Sequence, residues 1–353
     1  MNAPVKAGTS ARALDFRDAQ DVRRIEGFLA EAGASLFHRP AWLQAVETGS
    51  GQRAAGLVAE RMGVVTGCLP LTEVRSALFG KALVSSGFGV GGGIIATSAE
   101  AAGVLAAAAQ GHAMRGGFAG IELRGGAIPD GWETWSDKHC GFERALAVDD
   151  EAELLAIPRK ARAEVRKGLS FGHRVTVGRS ASDLTAHYAC YSESVRNLGT
   201  PVFPKGLFAA MLEAFPDSSD ILTVWHGDTP LASVLSFYHN GAVLPFWGGG
   251  ALAARAARAN EVMYYELMLH ARRQGMTRFD FGRSKTGSGP FAFKKNWGFA
   301  PDPLTYGAWT APGQPPRNID PTDASYSRKI ELWKKLPLPI ANTLGPWIAR
   351  GLA

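Results

Sequence analysis

The sequence predicts a mixed α/β (α+β) protein built from two copies of one plan, and three observations predict it. In each half, short β-branched or aromatic runs split by turn residues lead to a glycine cluster, a helical segment and a further strand. The glycine clusters at 91–93 and 248–250 are offset by 248 − 91 = 157 residues, and Glu122 and Asp280 on the following strands by 280 − 122 = 158. At 353 residues the chain also exceeds one ordinary domain. A diverged internal duplication accounts for all three, and hairpins followed by a helix and another strand outline a mixed α/β unit.

The elements follow in order. Residues 1–20 read as a disordered lead without the apolar core of a signal peptide. In a first subdomain, 21–150, strands at 57–59 and 64–71 flank a turn at Met62-Gly63. A helix over 98–114 closes at Gly116-Gly117, and 121–125 is the next strand. Residues 151–180 form a basic helical arm or linker, begun near Asp149 and Asp150 and interrupted or restarted by Pro158. In a second subdomain, 181–310, strands at 221–225 and 231–238 flank a turn at Gly227-Asp228, and 243–247 is a third strand. Its glycine cluster precedes a helix to Arg273, Gly275 closes that helix, and 279–283 is the last strand. Residues 311–353 are a tail, proline-rich at first and then basic and aromatic.

Composition narrows the function classes. Hydrophobic residues make up 46% and charged residues 20%, as in a soluble globular protein with a full core. Cys68, Cys140 and Cys190 lie far apart without metal or redox spacing, which points to a reducing cytoplasm. The histidines show no ligand spacing, so no metal is expected, and no apolar run reaches the length of a membrane span. Net charge is +6, and Arg159, Lys160, Arg162, Arg166, Lys167, Arg174 and Arg179 against Glu164 give 7 − 1 = +6. One segment carries the whole excess. It is either a solvated helix face or a phosphate-binding surface for RNA or a nucleotide-linked substrate.

Residues 279–299, FDFGRSKTGSGPFAFKKNWGF, pack backbone freedom, cations and aromatic walls into one stretch. That mixture suits a site for an anionic or carbonyl substrate. Together with 196–203 (RNLGTPVF), 232–238 (ASVLSFY) and 259–266 (ANEVMYYE), it closely resembles the Fem-type (FemAB-like) acyltransferases, in particular the branch associated with exosortase (PEP-CTERM) and exopolysaccharide systems. Residues 37–42 and 67–71 agree more loosely, and the resemblance spans about 25–306. It implies tandem GNAT-like (N-acetyltransferase) subdomains with mixed, mostly antiparallel sheets. It also implies transfer of an aminoacyl group from charged tRNA, or of another acyl group, to an amine on an envelope or exopolysaccharide precursor. No tightly bound cofactor is expected, only aminoacyl-tRNA or acyl-CoA as co-substrate.

The resemblance places a lysine that stabilises the developing oxyanion at Lys294 or its neighbour Lys295. Asp280, mid-strand where aspartate is disfavoured, would position the amine or take its proton, or else pair with Arg283 or a backbone donor. Arg283, Ser284 and Lys285 would bind phosphate or carboxylate, or merely expose their charges. Arg196 and Asn197 face a substrate groove or close a helix. Trp247, Tyr264 and Tyr265, with Tyr238, line a channel or fill the core. Ordinary GNAT enzymes hold a pyrophosphate on an Arg/Gln-x-x-Gly-x-Gly/Ala turn at a helix N-terminus. Here the stretch is Arg255-Ala256-Ala257-Arg258-Ala259-Asn260, with Arg258 and Asn260 at the small positions, which weakens coenzyme A use while Arg255 and Arg258 still suit phosphate.

Two rivals remain at this level: an acyl-CoA-dependent N-acyltransferase, and an RNA-binding or scaffold protein that has lost the chemistry. A monomer with no DNA partner is expected. The tail, with basic residues interleaved among Trp and Leu, suits a peripheral anchor on an anionic leaflet, a partner groove, or its own body.

Overall fold

The structure is a computed structural model and describes residues 8–315 and 324–352. These residues fall into two compact units, the first made of 8–136, 304–315 and 350–352, the second of 137–303 and 324–349. The first contains β1 (Ser10–Ala13), α1 (Ala19–Glu31), α2 (Pro40–Ser50), β2 (Arg53–Arg61), β3 (Val64–Ser76), β4 (Gly80–Val84), β5 (Ile95–Ala96), α3 (Ala99–Gly116), β6 (Gly120–Arg124) and β7 (Glu133–Trp135). The chain passes to the second through β8 (His139–Gly141), β9 (Glu143–Ala145), α4 (Asp150–Ala156), α5 (Arg159–Leu169), β10 (Arg174–Gly178), α6 (Ala181–Leu198) and α7 (Lys205–Ala214). It continues there with β11 (Ser219–His226), β12 (Thr229–His239), β13 (Ala242–Gly250), α8 (Ala254–Ala257), α9 (Ala259–Arg273), β14 (Arg278–Asp280), β15 (Ser284–Lys285), α10 (Gly289–Asn296) and β16 (Asp302–Pro303). It then returns to the first unit as β17 (Tyr306–Thr310) and ends in α11 (Ala324–Lys334) and α12 (Leu338–Ala349) of the second.

The first sheet has the order β1-β2-β3-β4-β6-β17-β7, with β5 beside β3. Strand alternation sorts its two faces: Leu57 joins Leu105 and Ala109 of α3 in one cluster, while Val58 joins Ile25 and Leu29 of α1 in another. Ser98 caps α3 by accepting from Ala101 N, and Gly117 ends it at φ 64°. The second unit has a sheet of order β10-β11-β12-β13-β14-β9 and a small one of order β15-β8-β16. Val262, Met263, Leu267 and Met268 of α9 pack with Leu222, Val234 and Phe279 in its core.

Each large sheet has one parallel junction, β4 with β6 and β13 with β14, in otherwise antiparallel order. Leu83↔Ile121 corresponds to Ala242↔Arg278, so the repeat is 242 − 83 = 159 residues on one strand and 278 − 121 = 157 on the other. The duplicated mixed α/β plan expected from sequence is therefore present.

Several expectations change. Residues 10–13, read as lead, form an edge strand of the first sheet; residues 1–7 lie outside the described residues. The two glycine clusters are not equivalent, because 248–250 end β13 while 91–93 stand in the loop after β4. Residues 143–145, placed in the first subdomain, pair with β14 in the second sheet, and 306–310, placed in the second, lie between β6 and β7 in the first. The arm is interrupted where expected: Pro158 is the N-cap of α5, with Asp149 capping α4 separately. The tail holds two helices, and its residues 316–323 lie outside the described residues.

Candidate active site

The parallel junction behaves differently in the two units. In the first, β4 stops at the junction and the glycine-rich loop folds into the gap. A Cβ on Gly93 would lie 1.7 Å from Gly125 O, so only glycine admits this approach. Trp42 Nε1 donates to Gly87 O at 3.0 Å and Arg124 to Gly89 O at 3.1 Å, fixing the plug. In the second unit β13 runs on through 244–250, and among the described residues no strand pairs with that stretch on the β14 side. β14 ends at Asp280, and the chain turns through Gly282 at φ 68°. A splayed strand end is thus left in the second unit alone.

Lys294 is placed here by α10, whose cap Ser288 accepts from Phe291 N at 3.3 Å. Its side chain is buried, and Nζ donates to Gly282 O at 3.1 Å and Arg283 O at 3.0 Å. The rings of Phe142 and Phe281 each stand 5.4 Å from the ammonium. Two of three N–H donors are used by protein, leaving one. Burial pulls the pKa from 10.5 down to about 8, opposed by Asp280 and aided by Arg283. Near neutrality the group still carries its charge.

Asp280 accepts from Gly282 N at 2.9 Å, which shapes the turn that presents the two carbonyls to Lys294. Burial raises its pKa, and Glu143, its cross-strand partner on β9, raises it further. Glu143 is bound at 2.8 Å by Arg278. Tyr264 of α9 faces the same aromatic cluster, 4.7 Å from Phe281 and 6.1 Å from Trp297, and burial pushes its hydroxyl up to about 12. Ser284 is buried, yet its hydroxyl has no hydrogen-bond partner. A buried hydroxyl left unmatched is costly unless a ligand completes it.

The remaining candidates separate. Lys295 is exposed, its ammonium 5.7 Å from the Phe291 ring, so the pair resolves into a buried member and a surface one. Arg283 and Lys285 are half-buried at the turn. Arg196 donates to Lys334 O and Leu336 O, closing α11, and half-buried Asn197 sits beside it at the end of α6. Trp247 is core, packed edge-on against Phe208 and Phe246. Tyr265 is core too and donates to Asp150 O at 3.1 Å. Tyr238 donates to Asp220 at 2.8 Å, a carboxylate that also meets His270 at 2.9 Å. Sequence reasoning missed Phe142 and Glu143, which only the pairing of β9 with β14 brings to the site.

Arg159, Lys160, Arg166 and Lys167 are exposed on α5, and half-buried Arg162 reaches Leu155 O. α5 lies against the start of α9: a Cβ on Gly168 would meet Val262 at 2.6 Å and Arg258 O at 3.0 Å. Arg258 takes φ 54°, and its guanidinium is held by Glu164 and by Arg255 O, while Arg255 is exposed. His173 completes the seal, 2.9 Å from Ala257 O. Among the described residues no group of three or more metal-ligating side chains occurs, and no helix is long and apolar enough to cross a membrane.

Comparison with known proteins bears on the fold and the domain. Residues 158–295 match the family described as Acetyltransferase (GNAT) domain. The fold is similar to that of FemX, at TM-score 0.63 and 15% identity over 81% of this chain and 95% of that one. It is similar to a tandem GNAT protein from the clavulanic acid biosynthesis pathway, at TM-score 0.59 and 12% identity over 87% and 100%. It is also similar to L-PGS from Bacillus licheniformis, at TM-score 0.54 and 14% identity over 90% and 98%. No curated protein sequence matches the chain. The second unit carries a GNAT acetyltransferase domain within a tandem GNAT-like fold, and the protein is an acyltransferase.

Proposed function

We propose that the protein transfers an aminoacyl group from a tRNA-linked ester to an amine, in the second unit, with Lys294 as the oxyanion-stabilising cation. The observation that carries this reading is the buried Lys294 ammonium with one N–H unclaimed by protein. The amine nitrogen attacks the ester carbonyl, a C–N bond forms, and the oxygen becomes anionic beside Lys294. Collapse breaks the C–O bond to the carrier, and Asp280 takes the proton lost by nitrogen and passes it to the departing hydroxyl. Raised basicity suits Asp280 to that task. The Ser284 hydroxyl and Arg283 then hold the donor.

The donor preference rests on α5 and α9. α5 covers one side of the first turn of α9, and Arg258 is engaged with Glu164 instead of standing open to a pyrophosphate. α5 also opens with Arg159, Lys160 and Arg162, cations at the positive end of a helix dipole. That arrangement disfavours the isolated helix and suits a polyanion. The acceptor, an amine on an envelope or exopolysaccharide precursor, and the cytoplasmic setting rest on the sequence resemblance and on three buried free cysteines. Acyl-CoA is the rival donor, since GNAT domains as a class acetylate.

The test is turnover and binding with charged tRNA and, separately, acyl-CoA across a salt titration. Salt-sensitive tRNA binding that weakens when Arg159, Lys160, Arg166 and Lys167 are neutralised supports the proposal. Turnover with acyl-CoA and no tRNA binding replaces the donor.

A further inference from the structure

The last described helix is built for two different neighbours. α12 has no charged residue along Leu338–Ala349. Ala341, Gly345 and Ala349 are buried on one side, and a Cβ on Gly345 would come within 2.9 Å of Val202 N, so the helix lies backbone-close on the body. Asn342 fixes it by donating to Ser192 Oγ at 3.2 Å. The outward side carries Ile340, 46% exposed, Leu344, 46%, and Trp347, 50%, with exposed Thr343 between them, its hydroxyl donating to Pro339 O at 2.9 Å. The three apolar residues recur at i, i+4 and i+7, one stripe along the helix.

Nearby surfaces of the same unit continue the pattern. Leu332 on α11 is 67% exposed and Leu198 at the end of α6 is 56% exposed. Those two ends are joined, because a Cβ on Gly199 would come within 2.4 Å of Ile330 and 3.3 Å of the Lys334 stem. The last two helices of this unit carry a basic excess. From 329 to 349, Lys329, Lys334 and Lys335 against Glu331 give 3 − 1 = +2. Lys329 and Lys335 are exposed.

We infer that the Ile340–Leu344–Trp347 stripe is an in-plane docking surface for an anionic lipid bilayer. A 12-residue helix is about 18 Å long, too short to cross a hydrocarbon core of about 30 Å, so it lies along the surface. The convex outer side of a helix fits a flat interface. Leu and Ile enter the acyl boundary, the Trp347 indole sits at headgroup level with its N–H toward water, and flanking lysines reach the phosphates. Basic flanks choose an anionic leaflet over a neutral one. This surface is independent of the acyl-transfer chemistry proposed above, because none of its residues belongs to the Lys294 site.

Flotation of the full chain with vesicles tests it. One set holds phosphatidylcholine alone; the other adds one part in three of phosphatidylglycerol. The chain is expected to float with the anionic set at least ten-fold more than with the neutral set, and to detach as salt rises. Ile340→Glu with Leu344→Glu and Trp347→Glu should lower the bound fraction at least ten-fold. Lys329→Glu with Lys335→Glu, which leaves the apolar stripe intact, should lower it several-fold and guards against a folding defect in the triple variant. Equal flotation with both sets, no flotation, or an unchanged triple variant overturns the inference. So does light scattering that finds a dimer in the unaltered chain and a monomer in the triple variant, since the stripe would then meet a second copy.

Discussion

Lys294 is a cation stripped of most of its water, and its chemistry follows from that. With pKa 10.5 unfolded and about 8 folded, the unfolded state binds its proton more tightly. Folding therefore carries the full cost of this charge below pH 8, and stability recovers as pH rises from about 8 to 10.5. Activity should run the opposite way. If the ammonium stabilises the oxyanion, kcat/KM falls as pH rises through about 8, whereas a lysine acting as base would make it rise. Lys294→Met should lower kcat by about 10²–10³-fold, the effect of losing one oxyanion donor, with a native circular-dichroism spectrum. Asp280→Asn removes the charge that raises the Lys294 pKa, so in that variant the alkaline limb should move below pH 8. Because burial raises Asp280's own pKa, its ionised form costs stability near neutrality, and thermal melts at pH 7 should show the Asn variant no less stable. An alkaline limb that stays in place would remove Asp280 from the site's electrostatics.

At the scale of elements, the α8–α9 elbow sets what can approach the head of α9. Arg258 occupies a left-handed conformation that costs a non-glycine residue about 1–2 kcal/mol, held by its bonds to Glu164 and Arg255 O. Arg258→Gly should melt within about 1 kcal/mol of the parent, since relief of strain offsets a half-exposed ion pair. It should also raise acyl-CoA affinity, read by calorimetry, if this elbow selects the donor; unchanged affinity would place that choice elsewhere. The sequence made the arginine in a glycine position visible, but not the Glu164 that holds it, because their contact depends on how α5 lies across α9. Long elements were legible for a similar reason: β11, β12 and α9 carry enough periodic residues to declare themselves. β9 and β17, of three and five residues, take their identity from distant partners, and no local pattern places them. Of the two readings open for Trp247, channel or core, it is core, and the irregular register of β13 at Phe246 brings the two neighbouring rings together with Phe208.

Over the whole molecule, each sheet depends on a strand from the other side of the chain's main crossings. β17 lies between β6 and β7 in the first sheet, although 137–303 separate β7 from it. A chain ending at Pro303 keeps 8–136 but loses β17, and the first unit should suffer for it. Loss of β17 opens the β6 edge, and proteolysis should cut the first unit faster in the truncated chain than in the full one. Equal protection would mean that β17 is dispensable there. The same interior strand bears on synthesis. Between the last residue of β6 and the first of β17 the ribosome must add 306 − 124 = 182 residues. At roughly 5–20 residues per second, the nascent first sheet waits about 9–36 s with an unmated edge in a crowded cell. That edge is open to intermolecular pairing for the whole interval, so aggregation during synthesis is a hazard distinct from the stability of the finished fold.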